Sequence, residues 1–453
     1  MFAFLRRYRL HLGIGLVLSI VGTVYILNAV RYNSYWAYDG GAHLQYIMTI
    51  AEHGRLPTPQ ENYIAWHEPL YYGINGLFMR ALTSFSVSEP TFFKILQFES
   101  AIWALLFIAG AGVLAWILTH DRAKTFFVFL FTAGLFCVSA VARYSTNEIM
   151  FQAGAVWWMA WFCWEINKTN RTDGTKRTYT WVLLGLGFVL LLWVKLTALV
   201  LVAAVLIWLA IQWCVKSSRP RILDARLKII LLVACIVVVG YGPWLYHKHQ
   251  AYGKSLTINN FETENRLTSV QSLPLTFYFT WDNSIFHNPL WPGGQGSFWS
   301  LLFGSAFGDH NNVFQNYEPH NLQPTITTAN LRLFPAERFE RMKVFFVLSL
   351  PLFIFLFYGL VRKSIELIKK REQQSSSFFV YIVTLGFLGS LVYNTWQYPF
   401  LERGTLKAIF ILTFFPLAAL IASAYVPRKL WPVVWVYMSI WVALSFSIIL
   451  LPA

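Results

Sequence analysis

Long apolar runs constrain this chain more than any other feature of its sequence. Of the 453 residues, 57% are hydrophobic and 13% are charged, a balance typical of integral membrane proteins. A helix of about 20 apolar residues crosses the hydrocarbon core of a bilayer. Runs of this kind lie at 10–30, 91–118, 124–142, 148–166, 226–246, 343–361, 377–395, 404–424 and 430–450. The sequence therefore predicts an all-α, multi-pass protein of the lipid bilayer.

One further run, from Tyr179 to Val215, is too long for a single span, because as one helix it measures about 55 Å at 1.5 Å per residue. Lysines and arginines flank it on both sides, at 168–177 and 216–228. Since these residues concentrate in cytoplasmic loops, both flanks are predicted to be cytoplasmic, with an even number of crossings between them. A break near Lys195 gives about eleven transmembrane helices, a cytoplasmic N-terminus and an outer C-terminus.

The distribution of the basic residues indicates membrane topology rather than nucleic-acid binding, because the net charge of +15 arises mostly in short loops between apolar runs. The chain divides into a membrane module at 1–246 with a first outer loop at 31–90, a large extracytoplasmic loop at 247–342, and C-terminal transmembrane helices at 343–453. Within the large loop, Ser297 to Phe307 has a helical apolar pattern, and Trp291-Pro292-Gly293-Gly294 predicts a turn.

The first outer loop is predicted to contain two amphipathic helices at the membrane surface. In each helix, apolar residues recur at the spacing of one helical face. They are Leu44, Ile47, Met48 and Ala51 in the first helix and Leu70, Ile74, Leu77, Phe78 and Ala81 in the second. Gly54 ends the first helix and Pro69 begins the second. Asp39 and Glu68 precede the two helices, so we expect both carboxylates to face one interfacial pocket.

Several polar residues on the outer side are candidates for chemistry. A carboxylate near an acceptor hydroxyl can act as a general base, whereas Asp39, Glu68, His43 and His67 together could bind a divalent metal. The alternative for both histidines is a hydrogen-bonding role within the loop.

Cationic candidates lie elsewhere on the same predicted side. Lys195 interrupts an apolar run, where a charge is costly unless it reaches a cavity or the interface. Arg403 and Lys407 are four residues apart, a spacing that suits a lipid phosphate. The structural alternatives are snorkelling for Lys195 and anchoring for the pair. Asn147 and Glu148 either start a helix or line the same site.

Four short motifs resemble integral-membrane glycosyltransferases of the GT-C type, in particular their protein O-mannosyltransferase-like and aminoarabinose-transferase-like branch. The motifs are Tyr38-Asp39-Gly40-Gly41-Ala42-His43, His67-Glu68-Pro69-Leu70-Tyr71-Tyr72, Trp193-Val194-Lys195-Leu196-Thr197, and Pro243-Trp244-Leu245-Tyr246 through Tyr252-Gly253. Arg403 resembles the start of a late arginine-containing helix in that family.

The resemblance implies polyprenyl-phosphate sugar donors, an active site on the outer face, a catalytic base at Asp39 and cations that hold the lipid phosphate. Many family members place a second acid after the base, where this chain has Gly40. A second catalytic acid would therefore be Glu68, or Glu148. An aromatic residue commonly follows the late arginine, where this chain has Gly404.

The predicted function is transfer of a monosaccharide from a polyprenyl-phosphate donor to a hydroxyl acceptor at the extracytoplasmic membrane face, with inversion. Asp39 and Glu68 are the predicted catalytic residues, and Lys195, Arg403, Lys407, Tyr71, Asn147 and Glu148 are predicted to bind substrate or lipid phosphate. His43 and His67 are candidate metal ligands. The alternatives are a lipid-linked glycan flippase or transporter, whose cations would line a pathway across the membrane, and an O-antigen-type ligase or polymerase using diphosphate-linked glycans.

Overall fold

A computed structural model of the chain describes residues 2–32, 34, 39–168, 174–215, 220–252, 273–290, 293–310, 336–370, 376–397 and 407–450. Within these ranges the regular structure is helical. The α-helices are α1 Phe2–Arg31, α2 Gly40–His53, α3 Pro69–Thr83, α4 Glu89–Thr119, α5 Arg122–Gly134, α6 Phe136–Val141, α7 Asn147–Lys168, α8 Gly174–Val194, α9 Leu199–Val215, α10 Pro220–Tyr252, α11 Ser284–His287, α12 Phe298–Phe307, α13 Ala336–Lys370, α14 Ser376–Gln397, α15 Phe414–Ser423 and α16 Trp431–Leu450.

The predicted spans coincide with these helices. Six described stretches are long and apolar enough to cross a membrane alone, at Leu12–Arg31, Glu89–Thr119, Leu231–Ala251, Glu337–Lys369, Ser376–Gln397 and Arg428–Leu450. The remaining predicted spans correspond to α5 with α6, α7, α8, α9, and the segment ending in α15. The chain is a multi-pass integral membrane protein, and the predicted all-α class is confirmed.

The predicted break at Lys195 is present. Helix α8 ends at Val194, Lys195 is extended with φ −161° and ψ 133°, and a short 3₁₀ turn at Leu196–Ala198 leads into α9. An extended residue between two apolar helices leaves backbone groups without helical partners, which is tolerated at membrane depth only where protein or a polar cavity covers them. The break is therefore a place where a polar site can form.

Close helix packing builds the frame around this break. Helix α4 packs along α7, and α8 packs along α10. Small residues allow the closest approaches, as they do between membrane helices in general. A Cβ on Gly359 of α13 would lie 2.5 Å from the Cα of Ala422 in α15. These packed helices hold the ends of α7, α8 and α10 in fixed positions.

Helices α2 and α3 form a separate small core, built on Leu44, Tyr46, Ile47, Tyr71 and Tyr72. The apolar stripe predicted for α2 faces this core.

The stripe predicted for α3 does not face the small core, because Ile74, Leu77 and Phe78 are exposed at 49%, 64% and 44%. Tyr71, Tyr72 and Met79 form the buried face of α3 instead. An exposed apolar stripe opposite a buried face is the pattern of a helix that lies in the membrane interface.

The described part of the segment 247–342 folds against the membrane helices. Ser297 caps α12 by accepting a hydrogen bond from the backbone N–H of Ser300, and α12 is buried along its length. Helix α12 confirms the helical pattern predicted there. Gly294 has φ 74°, as the predicted turn requires, whereas Trp291 and Pro292 lie outside the described residues.

Candidate functional site

Asp39 occupies a strained position at the start of α2. Its φ of 56° and ψ of 15° put it in the left-handed region, which few residues other than glycine adopt, although Asp and Asn tolerate it. The side chain does not cap the helix. Its Oδ1 accepts a hydrogen bond of 2.6 Å from the Tyr63 hydroxyl. Strain of this kind persists where surrounding structure enforces it, and it concentrates at functional sites.

Glu68, the second predicted acid, is engaged in a buried ion pair. Its Oε1 accepts hydrogen bonds from the Lys248 ammonium at 3.1 Å and the Tyr241 hydroxyl at 3.0 Å. Glu68 and Lys248 are each 2% exposed. The pair joins the start of α3 to the end of α10 and so fixes helices α2 and α3 to the transmembrane frame.

The Asn147-Glu148 start of α7 holds the break at Lys195. The Asn147 amide donates to the carbonyl oxygen of Val194 at 3.0 Å, at the end of α8. The Lys195 ammonium forms a salt bridge with the Glu148 carboxylate. Both predicted residues therefore contact the Lys195 segment, and Glu148, like Glu68, has a lysine partner.

Lys407 and Lys195 both lie close to the Phe410 ring. The ammonium groups of Lys195 and Lys407 lie 5.2 and 5.6 Å from the centroid of the Phe410 ring. Gln152, one turn after Glu148 on α7, donates to the carbonyl oxygens of Ile409 and Phe410 and accepts from Thr413. Helix α7 thus positions both lysines. Arg403 lies outside the described residues.

Both predicted histidines contact one hydroxyl. Nδ1 of His43 lies 2.7 Å and Nδ1 of His67 lies 3.0 Å from the Tyr72 oxygen. Burial lowers the pKa of His43 to about 4, with Lys195 and Lys407 adding to the decrease and Asp39 opposing it. Since all three charged groups act on one imidazole, Asp39, Lys195 and Lys407 lie in the neighbourhood of His43.

The fit to a metal ion is poor within the described residues. No group of three or more His, Cys, Asp or Glu side chains there is arranged to hold a cation. Nδ1 of each of the two histidines already contacts the Tyr72 hydroxyl. The metal role of these histidines stays a prediction, and no step below uses a metal.

Tyr71 is buried beside the site, and Tyr63, Lys248 and Gln152 join the predicted residues there. Tyr71 is 1% exposed and packs edge-on against Tyr72, with ring centroids 5.2 Å apart, so its substrate contact stays a prediction. Tyr63, Lys248 and Gln152 were not anticipated as site residues. Lys248 follows the predicted Pro243-Trp244-Leu245-Tyr246 motif closely, and a cation at the end of an apolar helix was the available signal.

No protein-family model and no curated protein sequence matches the chain. Its structure is similar to that of ArnT from Cupriavidus metallidurans bound to undecaprenyl phosphate, with a TM-score of 0.52 and 13% identity over 94% of this chain and 63% of ArnT. It is also similar to the oligosaccharyltransferase AglB from Archaeoglobus fulgidus in complex with an inhibitory peptide and a dolichol-phosphate. That match has a TM-score of 0.51 and 12% identity over 98% of this chain and 56% of AglB.

The chain therefore shares its fold with ArnT and AglB, and the resemblance predicted from the sequence is confirmed at the level of the fold. The chain spans less than two thirds of the length of either protein.

Proposed function

We propose that the protein is a membrane glycosyltransferase that moves a monosaccharide from a polyprenyl-phosphate donor to a hydroxyl acceptor at the extracytoplasmic face. The structural relatives support the donor class, because one was solved with undecaprenyl phosphate and the other with dolichol-phosphate. The predicted topology puts Asp39 and the large loop on the outer side of the membrane, which supports a reaction at the extracytoplasmic face.

One observation carries the assignment of the base. Of the three predicted site acids, Glu68 and Glu148 are each paired with a lysine, whereas the described partner of Asp39 is the neutral Tyr63 hydroxyl. A general base must reach the proton that it takes, and a carboxylate already bound to a lysine ammonium is less available for that contact. Asp39 is therefore the acid best suited to accept a proton from an acceptor hydroxyl.

The proposed reaction is a single in-line displacement. As the acceptor oxygen forms a bond with the anomeric carbon, its proton passes to the Asp39 carboxylate and the bond between that carbon and the phosphate oxygen breaks. Polyprenyl phosphate leaves with the electron pair of this bond, and the anomeric configuration inverts. Lys195 and Lys407, together with Arg403, would stabilise the negative charge on the leaving phosphate.

Purified protein in nanodiscs provides the test, with polyprenyl-phosphate sugars labelled in the sugar and a panel of hydroxyl acceptors. The proposal predicts equal amounts of transferred sugar and released polyprenyl phosphate. Activity only with diphosphate-linked donors would favour the ligase or polymerase. In liposomes, movement of intact labelled lipid across the bilayer without cleavage would favour the flippase. A parallel reaction with a chelator tests for a divalent cation.

A further inference from the structure

Gln152 of α7 uses its whole carboxamide on one short stretch of distant sequence. The side chain is 0% exposed. Its Nε2 donates to the carbonyl oxygens of Ile409 at 3.3 Å and Phe410 at 3.1 Å. Its Oε1 accepts from the backbone N–H of Thr413 at 2.9 Å and from the Thr413 hydroxyl at 2.6 Å. A carboxamide has two N–H donors and an oxygen with two lone pairs, so every hydrogen-bonding position of Gln152 is occupied.

The stretch that Gln152 contacts is irregular. A 3₁₀ turn, Ala408–Ile411, follows the extended Lys407, and α15 begins only at Phe414. Buried backbone groups at such a junction lose part of their helical hydrogen bonding, which is costly unless a side chain replaces it. Gln152 contacts one backbone N–H and two backbone C=O groups there. Its amide therefore sets the path of the chain directly after Lys407.

Helix α12 holds the same turn at its first residue. The backbone N–H of Ala408 donates to the Ser305 hydroxyl oxygen at 3.0 Å, and Ser305 is itself buried. The Ser305 hydroxyl donates in turn to the carbonyl oxygen of Leu302 within α12. Side chains thus attach the turn to both α7 and α12. Lys407, the residue before the turn, is 1% exposed, so its backbone cannot move without disturbing these contacts.

The face of α7 that carries Gln152 also holds the other lysine. Glu148 lies four residues before Gln152, hence on the same helix face, and forms the salt bridge with Lys195. The ammonium groups of Lys195 and Lys407 lie 5.2 and 5.6 Å from the centroid of the Phe410 ring. Phe410 is also one of the residues whose carbonyl oxygen accepts from Gln152. One turn of α7 therefore sets the position of both cations relative to each other.

We propose that Gln152 is a positioning residue for the leaving phosphate: its amide does not contact the phosphate but holds Lys407 at a fixed distance from Lys195. This role rests on the proposed function. In that reaction a phosphodiester with one negative charge becomes a phosphate monoester with about two near neutral pH. Cations that are already in place stabilise the added charge without the cost of rearrangement. Gln152 should therefore affect the product phosphate and the transition state more than the intact donor.

Native mass spectrometry with undecaprenyl phosphate and undecaprenol tests this role without requiring turnover. The two lipids have the same chain, so the difference between their dissociation constants reports the contribution of the phosphate. Gln152→Met keeps the length of the side chain and removes its hydrogen-bonding groups. It should weaken binding of undecaprenyl phosphate about 3- to 30-fold and leave binding of undecaprenol unchanged. In nanodiscs, kcat should fall by a similar factor, the donor Michaelis constant should rise by less, and the acceptor constant should not change.

A double-mutant cycle separates the positioning of Lys407 from a general loss of stability. If Gln152 acts through Lys407, Gln152→Met should weaken phosphate binding little further in a Lys407→Met protein. Gln97 supplies the matched control, because it is also a buried carboxamide and donates to the carbonyl oxygen of Arg143 at 2.7 Å. Gln97→Met should lower stability without changing the preference for undecaprenyl phosphate over undecaprenol.

Variants at Thr413 keep the test decisive if Gln152→Met does not fold. Thr413→Val keeps the shape and the backbone contact but removes the hydroxyl that donates to Gln152, so it should lose part of the phosphate preference, and Thr413→Ser should restore it.

Two results would overturn the role of Gln152 and leave the proposed function standing. One is unchanged phosphate binding in a folded Gln152→Met protein, or in Thr413→Val where Gln152→Met does not fold. The other is full additivity of Gln152→Met and Lys407→Met. Wild-type protein that binds the two lipids equally would instead overturn the phosphate site of the proposed function, and the role of Gln152 with it.

Discussion

The buried ion pair between Glu68 and Lys248 gives the most decisive stability prediction. Both side chains are 3% exposed, and their charged atoms lie 3.1 Å apart. Replacing one partner strands the other charge in a buried environment, which typically costs about 3 to 5 kcal/mol. Glu68→Gln and Lys248→Met should each lower the free energy of unfolding by that amount. The double variant should recover most of it, because no uncompensated charge remains and Tyr241 can still donate to the Gln amide oxygen.

A double-mutant cycle in detergent micelles, with unfolding followed by circular dichroism, measures these free energies. The exposed pair of Arg55 and Glu61 supplies the control, since solvent screens it and Arg55→Met should change stability little. The sugar-transfer rate of the double variant distinguishes two roles of Glu68. A double variant that is stable and active supports a role in attaching α3 to α10, whereas one that is stable but inactive supports the predicted catalytic role. Single variants as stable as wild type, or a double variant no better than the singles, would refute the reasoning.

Three further predictions concern topology, donor binding and pH. Cysteines introduced at Thr58 and Thr172 of a cysteine-free protein should react with impermeant reagents from opposite sides of the membrane; labelling of both from one side would contradict the topology predicted from the Lys and Arg distribution. Lys407→Ala and Arg403→Ala should each raise the donor Michaelis constant about 10- to 150-fold and leave that of the acceptor unchanged. Unchanged donor constants in both would place the phosphate elsewhere. Burial lowers the pKa of His310 to about 4, so between pH 6.5 and 4 the unfolded state takes up a proton that the folded state excludes. Stability should fall by about 3 kcal/mol as pH decreases through this window. His310→Asn, whose amide can still donate to the Pro289 carbonyl, should flatten that slope, and an identical slope would contradict the assignment.

Span positions could be predicted because they depend on local composition. A run of apolar residues long enough for the bilayer forms a helix whichever neighbours it has, and charge counts located the break at Lys195. The orientation of α3 could not be obtained in this way. Lipid tails are as apolar as a protein core, so the stripe of Ile74, Leu77 and Phe78 alone does not show which of the two it faces.

The site residues also divide into those that the sequence predicts and those that only the structure shows. Asp39, Glu68 and Lys195 were found because each lies in a polar motif beside an apolar run. Other contacts of the site join residues distant in sequence, since Glu68 and Lys248 are separated by 180 positions, and Gln152 and Ile409 by 257. One sequence carries no signal for such pairs. The structure therefore adds the distinction between paired acids and Asp39, on which the proposed mechanism depends.

The rate of sugar transfer by Asp39→Asn tests that mechanism most directly. Asn is nearly isosteric, tolerates the left-handed conformation of residue 39 and can still accept from Tyr63, so the fold should be unchanged. Its amide cannot accept the proton of the acceptor hydroxyl. We expect kcat to fall about 10²- to 10⁴-fold with the donor Michaelis constant unchanged. Glu52→Gln, which neutralises an exposed acid on the same helix, should retain full activity. A stable Asp39→Asn protein that transfers sugar at the wild-type rate would contradict the account.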